Sequence, residues 1–508
     1  MTDKTYDFVI IGGGLGGLQC SYILASEGYS VVVLDKNKQI GGTLQIFSKN
    51  KTVFETGVHY IGSLDEGEIL NKFFKYFGLL DKIKLKRMDN DGFDIIRFAD
   101  GKEYRHAQGY ENFIQTLLED FPEEEKELRA YCDKIKEVCN MFPLYNLKGK
   151  GNYTEMIKHG LLEINAYDFI ASITKNQTLR NVLAGSNPLY GGIKGKTPFY
   201  VHALIINSYI TGSYRLIDGG SQLAIQLCIS VRKLGGEIYK RKKVIAANYH
   251  DDRTIKEVVL ECGEIVKGKT FISNVHPAVT IDIFGEDRFL KAYSKRIKSL
   301  ENSVSTFIVN IVFEKNTFEY MNYNIYQHNS DDVWAAVEMK KEKWPDSFFI
   351  TTPPTSKSEK FAKGMSVMTY MSIDEVKQWG NSFNTVLNPG KRGRNYEEFK
   401  KRKEEIIIRE LEKIFPDFRQ KIKNIYSTTP LTFRDYIGTY DGSMYGILKD
   451  SNSPLKTIIN PRTKVRNLFL TGQNIILHGI LGVTIGSFVT CSSFIDREQL
   501  IQNVIDAQ

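Results

Sequence analysis

Cysteine and histidine are scarce in this chain, and what is missing excludes several classes of protein. The six cysteines (Cys20, Cys132, Cys139, Cys228, Cys262 and Cys491) are scattered over 508 residues, with no CxxC pair and no histidines gathered at metal-ligand spacing. They read as reduced thiols, so neither a disulfide framework nor a metal site is expected. The net charge of +8 is small for this length, and the basic residues lie in mixed stretches such as Lys400-Lys401-Arg402-Lys403-Glu404-Glu405. Such mixing marks a solvated helix face, and without a basic patch interleaved with aromatics nucleic-acid binding is not expected. Met1-Thr2-Asp3-Lys4-Thr5 leads straight into a strand with no basic segment and apolar stretch of a secretory signal, so the expected location is cytoplasmic. Asn467 to Ile495 has no Lys, Arg, Asp or Glu, so hydropathy could suggest a membrane span there. Its Thr471-Gly472-Gln473-Asn474 break, with Gly479, Gly482 and Gly486, fits a strand, a turn and a helix start better.

Glycine, by contrast, is concentrated at the start. The apolar run Tyr6-Asp7-Phe8-Val9-Ile10-Ile11 ends in Gly12-Gly13-Gly14-Leu15-Gly16-Gly17, and a helix pattern follows from Leu18 to Glu27. A GxGxxG between a strand and a helix is the dinucleotide-binding context. Gly12 permits the tight turn, Gly14 lets a pyrophosphate approach the backbone beside Leu15 and Gly16, and Gly17 lets helix and strand pack closely. The free amides of the helix start face the negative group. A second strand, Ser30 to Leu34, ends in Asp35, 18 residues beyond Gly17, close to the spacing of a ribose-binding carboxylate.

Further segments resemble a known flavoprotein group. After Asp35 and Lys36 comes a loop with Gly41-Gly42-Thr43, and then Val53-Phe54-Glu55-Thr56-Gly57-Val58-His59-Tyr60-Ile61-Gly62. The Gly57-Val58-His59-Tyr60 core is similar to that of the retinol saturase branch of the phytoene desaturase, carotenoid isomerase and retinol saturase family. Tyr214 to Ser221, a helix from Gln222 to Leu234, Gly235-Gly236-Glu237 and a strand around Val244 are similar to the group's second signature, in which Val244 meets the adenine. The C-terminal signature, Asn467 to Gly486, implies a strand ending at the flavin and a helix aimed at its carbonyl edge. One departure stands out: Gln473-Asn474 occupy the place where these relatives usually carry an Asp.

The resemblance implies an α/β chain with a discontinuous Rossmann-like FAD-binding domain of amine-oxidase and phytoene-desaturase type (residues 1–65, 214–283 and 455–508). A mixed α+β substrate domain would hold residues 66–213 and 284–454. Cofactor contacts are expected from Gly12, Gly14, Leu15, Gly16, Gly17, Asp35, Lys36, Gly41, Gly42, Thr43, His59, Val244, Gly472, Gln473, Asn474, Gly482, Val483 and Thr484. No Cys stands at the position of a covalent flavin link, so FAD is expected to be non-covalent. No second GxGxxG is present for a nicotinamide cofactor, which leaves an external electron donor or acceptor. Residues 66–211 read as amphipathic helices rich in aromatics, among them Phe142, Tyr145, Tyr153, Tyr200 and Tyr209, which suit a cap over a tunnel for a large apolar ligand. Four short strands are expected between Val244 and Ser273. His59 and Tyr60, with Tyr445 third, are the candidates for a proton donor or for polarising a substrate; for His59 a structural imidazole is the alternative. The implied reaction is reduction of a C=C bond in a lipophilic polyene isoprenoid. Carotenoid cis-trans isomerisation, phytoene-type desaturation, amine oxidation and non-enzymatic isoprenoid binding are the alternatives. Peripheral contact with membranes follows from such a substrate.

Overall fold

Two seven-stranded sheets carry the chain. A computed structural model describes residues 4–148, 160–339 and 341–508; Tyr153 lies outside them.

The first sheet runs Val244–Asp251, Thr254–Leu260, Ile265–Ser273, Thr5–Ile11, Val31–Leu34 and Glu237–Tyr239, with Leu468–Leu470 added beside Ile265–Ser273. Its central strands are parallel and buried on both faces, which is why Phe8 to Ile11 and Val31 to Leu34 are continuous apolar runs rather than alternating ones. The helix Leu15–Ser26 follows the first strand and packs on Ser221–Lys233 and Gly479–Cys491.

One sequence expectation is corrected here. Of the four short strands expected between Val244 and Ser273, the last two, Glu264 to Lys267 and Thr270 to Ser273, form a single strand, Ile265–Ser273. Gly268 does not end it. A Cβ there would lie 2.5 Å from Val9 Cγ2, so the glycine serves the close approach of neighbouring strands.

The second sheet has the order Ile422–Thr428, Thr306–Phe313, Gly364–Tyr370, Ser347–Thr351, Asn324–His328, Asp94–Phe98, Glu103–His106. Its core strand Thr306–Phe313 is buried throughout, and Ile407, Ile408 and Leu411 of the helix Arg394–Ile414 pack into the same apolar cluster. The last two strands correct a second expectation. Residues 66–211 are not all helical, because Asp94–Phe98 and Glu103–His106 form a hairpin whose first strand pairs in parallel with Asn324–His328. An Asp100-Gly101 turn, with Gly101 at φ +87°, closes it. The helices Tyr110–Leu118, Glu125–Asn140, Ala166–Ile173 and Phe199–Ile210 cover this end of the sheet.

The uncharged C-terminal stretch forms the short strand Leu468–Leu470 and the helix Gly479–Cys491. Among the described residues no helix is long and apolar enough to cross a membrane.

Candidate active site

Glycines far apart in sequence meet at the start of the first helix. Gly12, at φ +97°, turns the chain out of the strand, and its N–H donates to Leu34 O at 2.8 Å. Gly41 N donates to Gly13 O at 2.9 Å, which lays the second glycine loop along the first. A Cβ on Gly42 would stand 3.2 Å from Gly14 Cα, and one on Gly16 would stand 3.0 Å from Gly472 Cα. On Gly17 it would fall 2.1 Å from Gly12 O, so this position admits glycine alone. Gly14 differs, since a Cβ there meets only Asn274 Nδ2 at 3.0 Å and Gly42 Cα at 4.0 Å. The open side of Gly14, beside the free amides of a helix start, is a cradle that fits a dinucleotide pyrophosphate.

Asp35 closes the cradle. Its Oδ2 accepts from Gly13 N at 2.8 Å and its Oδ1 from Asn37 N at 2.7 Å. Burial pushes its carboxyl above the usual range, against the two amide bonds and the nearby Lys36. Lys36 is itself turned away, with Nζ donating to Asp435 O at 3.2 Å. Val244 heads its strand two residues after Lys242, whose N–H donates to Asp35 O at 2.8 Å, so the adenine-contact candidate lies at the same edge.

From this cradle a cavity of about 1550 Å³ of empty space, partly open to solvent, runs between the two sheets. It begins at Leu15, Thr43 and Val58 and passes His59 to the aromatic wall of Tyr60, Tyr209, Tyr326 and Phe349. Gly479 to Val483, the first turn of the C-terminal helix, line one side, so the positive end of a helix dipole faces the space. Of the candidate residues, Leu15, Thr43, His59, Tyr60, Tyr445, Gln473, Gly482 and Val483 line it together. Asn474 and Thr484 turn their side chains elsewhere. Asn474 Oδ1 accepts from Ile447 N at 2.9 Å, and the Thr484 hydroxyl is taken up by Gln19 Nε2 at 2.7 Å and Ile480 O at 2.8 Å.

His59 is the polar anomaly of this cavity. It is buried, yet neither ring nitrogen has a hydrogen-bond partner, and a buried polar atom left unpaired costs about 1–3 kcal/mol. Its nearest acid is Glu55, with Oε2 3.6 Å from Nδ1. Burial pushes His59 down to about 4, helped by the positive Arg215, and pushes Glu55 up to about 8, so at neutral pH both are uncharged. The pair is therefore not an ion pair. Phe349 lies against the imidazole, with ring centroids 5.7 Å apart.

Tyr60 is anchored differently. Its hydroxyl donates to Asp94 Oδ2 at 2.8 Å and stands 2.7 Å from the Tyr326 hydroxyl, while its ring stacks on Tyr209 at 4.2 Å. Tyr445 donates to Pro188 O at 2.8 Å and packs on His478, which itself bonds Leu189 O, so both hold the 188–189 turn against the cavity.

Sequence reasoning missed Glu55, Asp94, Tyr326 and His478. Glu55 had a signal, standing four residues before His59, and Asp94 had a weaker one, as an acid opening an apolar strand. Tyr326 carries no mark in the sequence, and His478 stands in the C-terminal signature with no mark of its own.

Residues 10–77 match the model of a family described as an NAD(P)-binding Rossmann-like domain. The sequence is 27% identical to the all-trans-retinol 13,14-reductase of Rattus norvegicus, over 98% of this chain and 87% of the relative. It is 23% identical to the chloroplastic prolycopene isomerase 1 of an Oncidium hybrid cultivar, over 87% of this chain and 75% of the relative. Among solved structures, wild-type putrescine oxidase bound to putrescine matches with a TM-score of 0.64 at 12% identity, covering 99% of each chain. The resemblance first carried by Gly57 to Tyr60 thus extends over almost the whole chain, and the expected α/β, amine-oxidase-type fold is the one observed.

Proposed function

We propose that this chain, similar over nearly its full length to retinol 13,14-reductases, is an FAD-dependent oxidoreductase that saturates a C=C bond in a lipophilic polyene isoprenoid. The observation that carries the proposal is the continuity of the glycine cradle with an aromatic-walled cavity in which His59 is the unpaired polar side chain. Residues 1–65, 214–283 and 455–508 would hold the cofactor, and residues 66–213 and 284–454 would hold the substrate. Gly14, Gly42 and the helix start at Leu15 would take the pyrophosphate, Asp35 the ribose, and the first turn of Gly479–Cys491 the flavin edge. None of the cysteines lines the cavity, which supports non-covalent binding. Bound there, the flavin would supply two-electron redox chemistry that the side chains lack.

The chain's own residues shape the rest. Tyr209, Tyr326, Phe349 and Met368 wall the cavity with apolar surface, which excludes water and orients an extended hydrocarbon. Neutral His59, with Nδ1 turned toward Glu55 and no hydrogen bond made by either ring nitrogen, would meet the substrate's polar end or reacting bond. Tyr60 and Tyr326 line the same space, with their hydroxyls bonded to each other. Saturation is favoured over isomerisation by the Gly57-Val58-His59-Tyr60 core and by the greater identity and coverage of the retinol 13,14-reductase match than of the prolycopene isomerase match. The substrate dissolves in bilayers, so we place the protein in the cytoplasm with peripheral contact to membranes and an external electron donor.

Flavin identity tests the cofactor half. Heat or acid should release FAD from the yellow protein, and apoprotein should be restored by FAD but not by FMN. Recovery of FMN, or of no flavin, would overturn it.

A further inference from the structure

Behind the cavity wall lies a continuous file of hydroxyl and carboxyl groups. Asp94 is 1% exposed and does not itself line the cavity, whereas Tyr60 and Tyr326 do. Asp94 Oδ2 to Tyr60 Oη is 2.8 Å and Tyr60 Oη to Tyr326 Oη is 2.7 Å, and either tyrosine can be the donor in the second bond. Asp94 Oδ1 accepts from Asn324 Nδ2 at 2.8 Å, and Asn324 Oδ1 accepts from Arg215 at 2.6 Å. Arg215 is fully buried and binds four further acceptors, Tyr320 Oη and the carbonyls of Met321, Tyr323 and Thr352. Among the described residues it makes no ion pair with a carboxylate.

We propose that Asp94 is the proton reserve of the substrate cavity, acting through Tyr60 and Tyr326, which deliver the proton to the substrate carbon from their face. This deepens the reductive reading given above and rests on it. In saturation one π bond breaks and two C–H bonds form. The double bond would gain one proton from the tyrosine face and a hydride with its two electrons, the chemistry that a bound reduced flavin would supply while being oxidised. On Tyr326 and on Tyr60 one O–H bond breaks and another forms, and on Asp94 one O–H bond breaks, leaving a carboxylate. That carboxylate accepts from Tyr60 and Asn324, the arrangement now seen, and recovers its proton from water when the cavity is open.

The competing source, Glu55 through His59, has no such continuity, because 3.6 Å between Oε2 and Nδ1 is not a hydrogen bond. Burial pushes Asp94 up to about 7, opposed by the bonds from Asn324 and Tyr60 and by Arg215. It therefore holds a proton up to neutrality, the range in which a general acid is most effective. The groups facing it are Tyr60, Tyr209, Tyr326 and Arg215, and its cross-strand partner His106 is turned to Val182 O.

The test uses flavin-loaded protein and two readouts. Infrared difference spectra across pH should show a protonated carboxyl that disappears near pH 7 and is missing in Asp94→Asn, while Glu55→Gln leaves it in place. Polyene-dependent flavin re-oxidation should slow by roughly 100-fold or more in Asp94→Asn and Tyr60→Phe, the lower range of general acid catalysis. The wild-type rate should fall above about pH 7, and Asp94→Asn should lose that fall. Tyr60→Phe keeps the ring and its stacking, so a slow rate with unchanged flavin content and melting temperature excludes misfolding. An Asp94 that is ionised below pH 6, or an Asp94→Asn with wild-type rate and pH profile, would overturn the proposal. If no polyene re-oxidises any form, the substrate reading fails and the infrared titration alone decides whether Asp94 holds the proton.

Discussion

Replacing Gly14 and Gly17 separately should split two effects that the glycine turn combines. Gly14 has φ −73° and ψ 179°, extended backbone that any residue adopts, and its added Cβ meets chiefly the movable amide end of Asn274 at 3.0 Å. Gly14→Ala should therefore leave apoprotein stability within about 1 kcal/mol of wild type, since lost unfolded-state entropy offsets the small shift. The methyl group instead occupies the approach of the pyrophosphate. Overpacking of about 1–3 kcal/mol weakens FAD binding roughly 5- to 140-fold. Gly17→Ala is different in kind, because a carbon 2.1 Å from Gly12 O must push the helix off the strand. Its cost should reach or exceed about 3 kcal/mol in the apoprotein itself. Thermal melts with and without FAD make the comparison. At FAD of 100 times the wild-type Kd, ligand adds about 2.7 kcal/mol to wild type but only ~0.4 kcal/mol to a variant bound 100-fold more weakly. Wild-type FAD affinity in Gly14→Ala, or an apoprotein as unstable as that of Gly17→Ala, would refute the cradle.

Other outcomes follow from the same geometry. His59→Phe should keep FAD and leave apoprotein melting unchanged or raised, because two unpaired buried nitrogens are removed, yet slow polyene-dependent re-oxidation; unchanged rates would make His59 a structural residue. Glu55 and Asp94 hold protons in the folded state that the unfolded chain releases at ordinary carboxyl values, so their contribution is present at low pH and lost as pH rises through about 7 and 8. That loss begins at pH ~4, where the unfolded carboxyls ionise, and ends at about 7 and 8. Since buried histidines oppose it below 6.5, melting temperature should fall visibly between about pH 6.5 and 8, and Asp94→Asn with Glu55→Gln should flatten the fall. The buried His59, His106, His328 and His478, each pushed down to about 4, act oppositely and should lower stability as pH drops below 6.5. Flotation with anionic liposomes at low salt should recover part of the protein with the vesicles, and none at any salt would remove the membrane contact.

The glycine turn was legible because each glycine answers a local demand: an overlap of 2.1 Å at Gly17 or a positive φ at Gly12 leaves sequence no alternative. The parallel core strands were legible for the same kind of reason, as buried apolar runs bounded by turns. The hairpin at Asp94 was not, because Asp94-Ile95-Ile96-Arg97-Phe98 lacks clean alternation and lies among helical patterns. Nor was the acid file. Tyr60, Asp94 and Tyr326 are joined only by tertiary pairing, with Tyr326 266 positions from Tyr60, and no local periodicity records that. His59 could be picked from its motif, but its lack of any partner, which makes it a candidate for substrate contact, is a property of the packed cavity alone.

The most direct measurement is the product mass and the flavin spectrum from one anaerobic mixture. Protein reduced by dithionite or light, without NADPH, is mixed with all-trans-retinol or a carotenoid polyene. Saturation predicts a product two hydrogens heavier, formed in step with return of the oxidised flavin spectrum. A product of unchanged mass with the flavin still reduced would mark an isomerase, and loss of two hydrogens from oxidised protein alone would mark a desaturase; either result would contradict the proposed reduction.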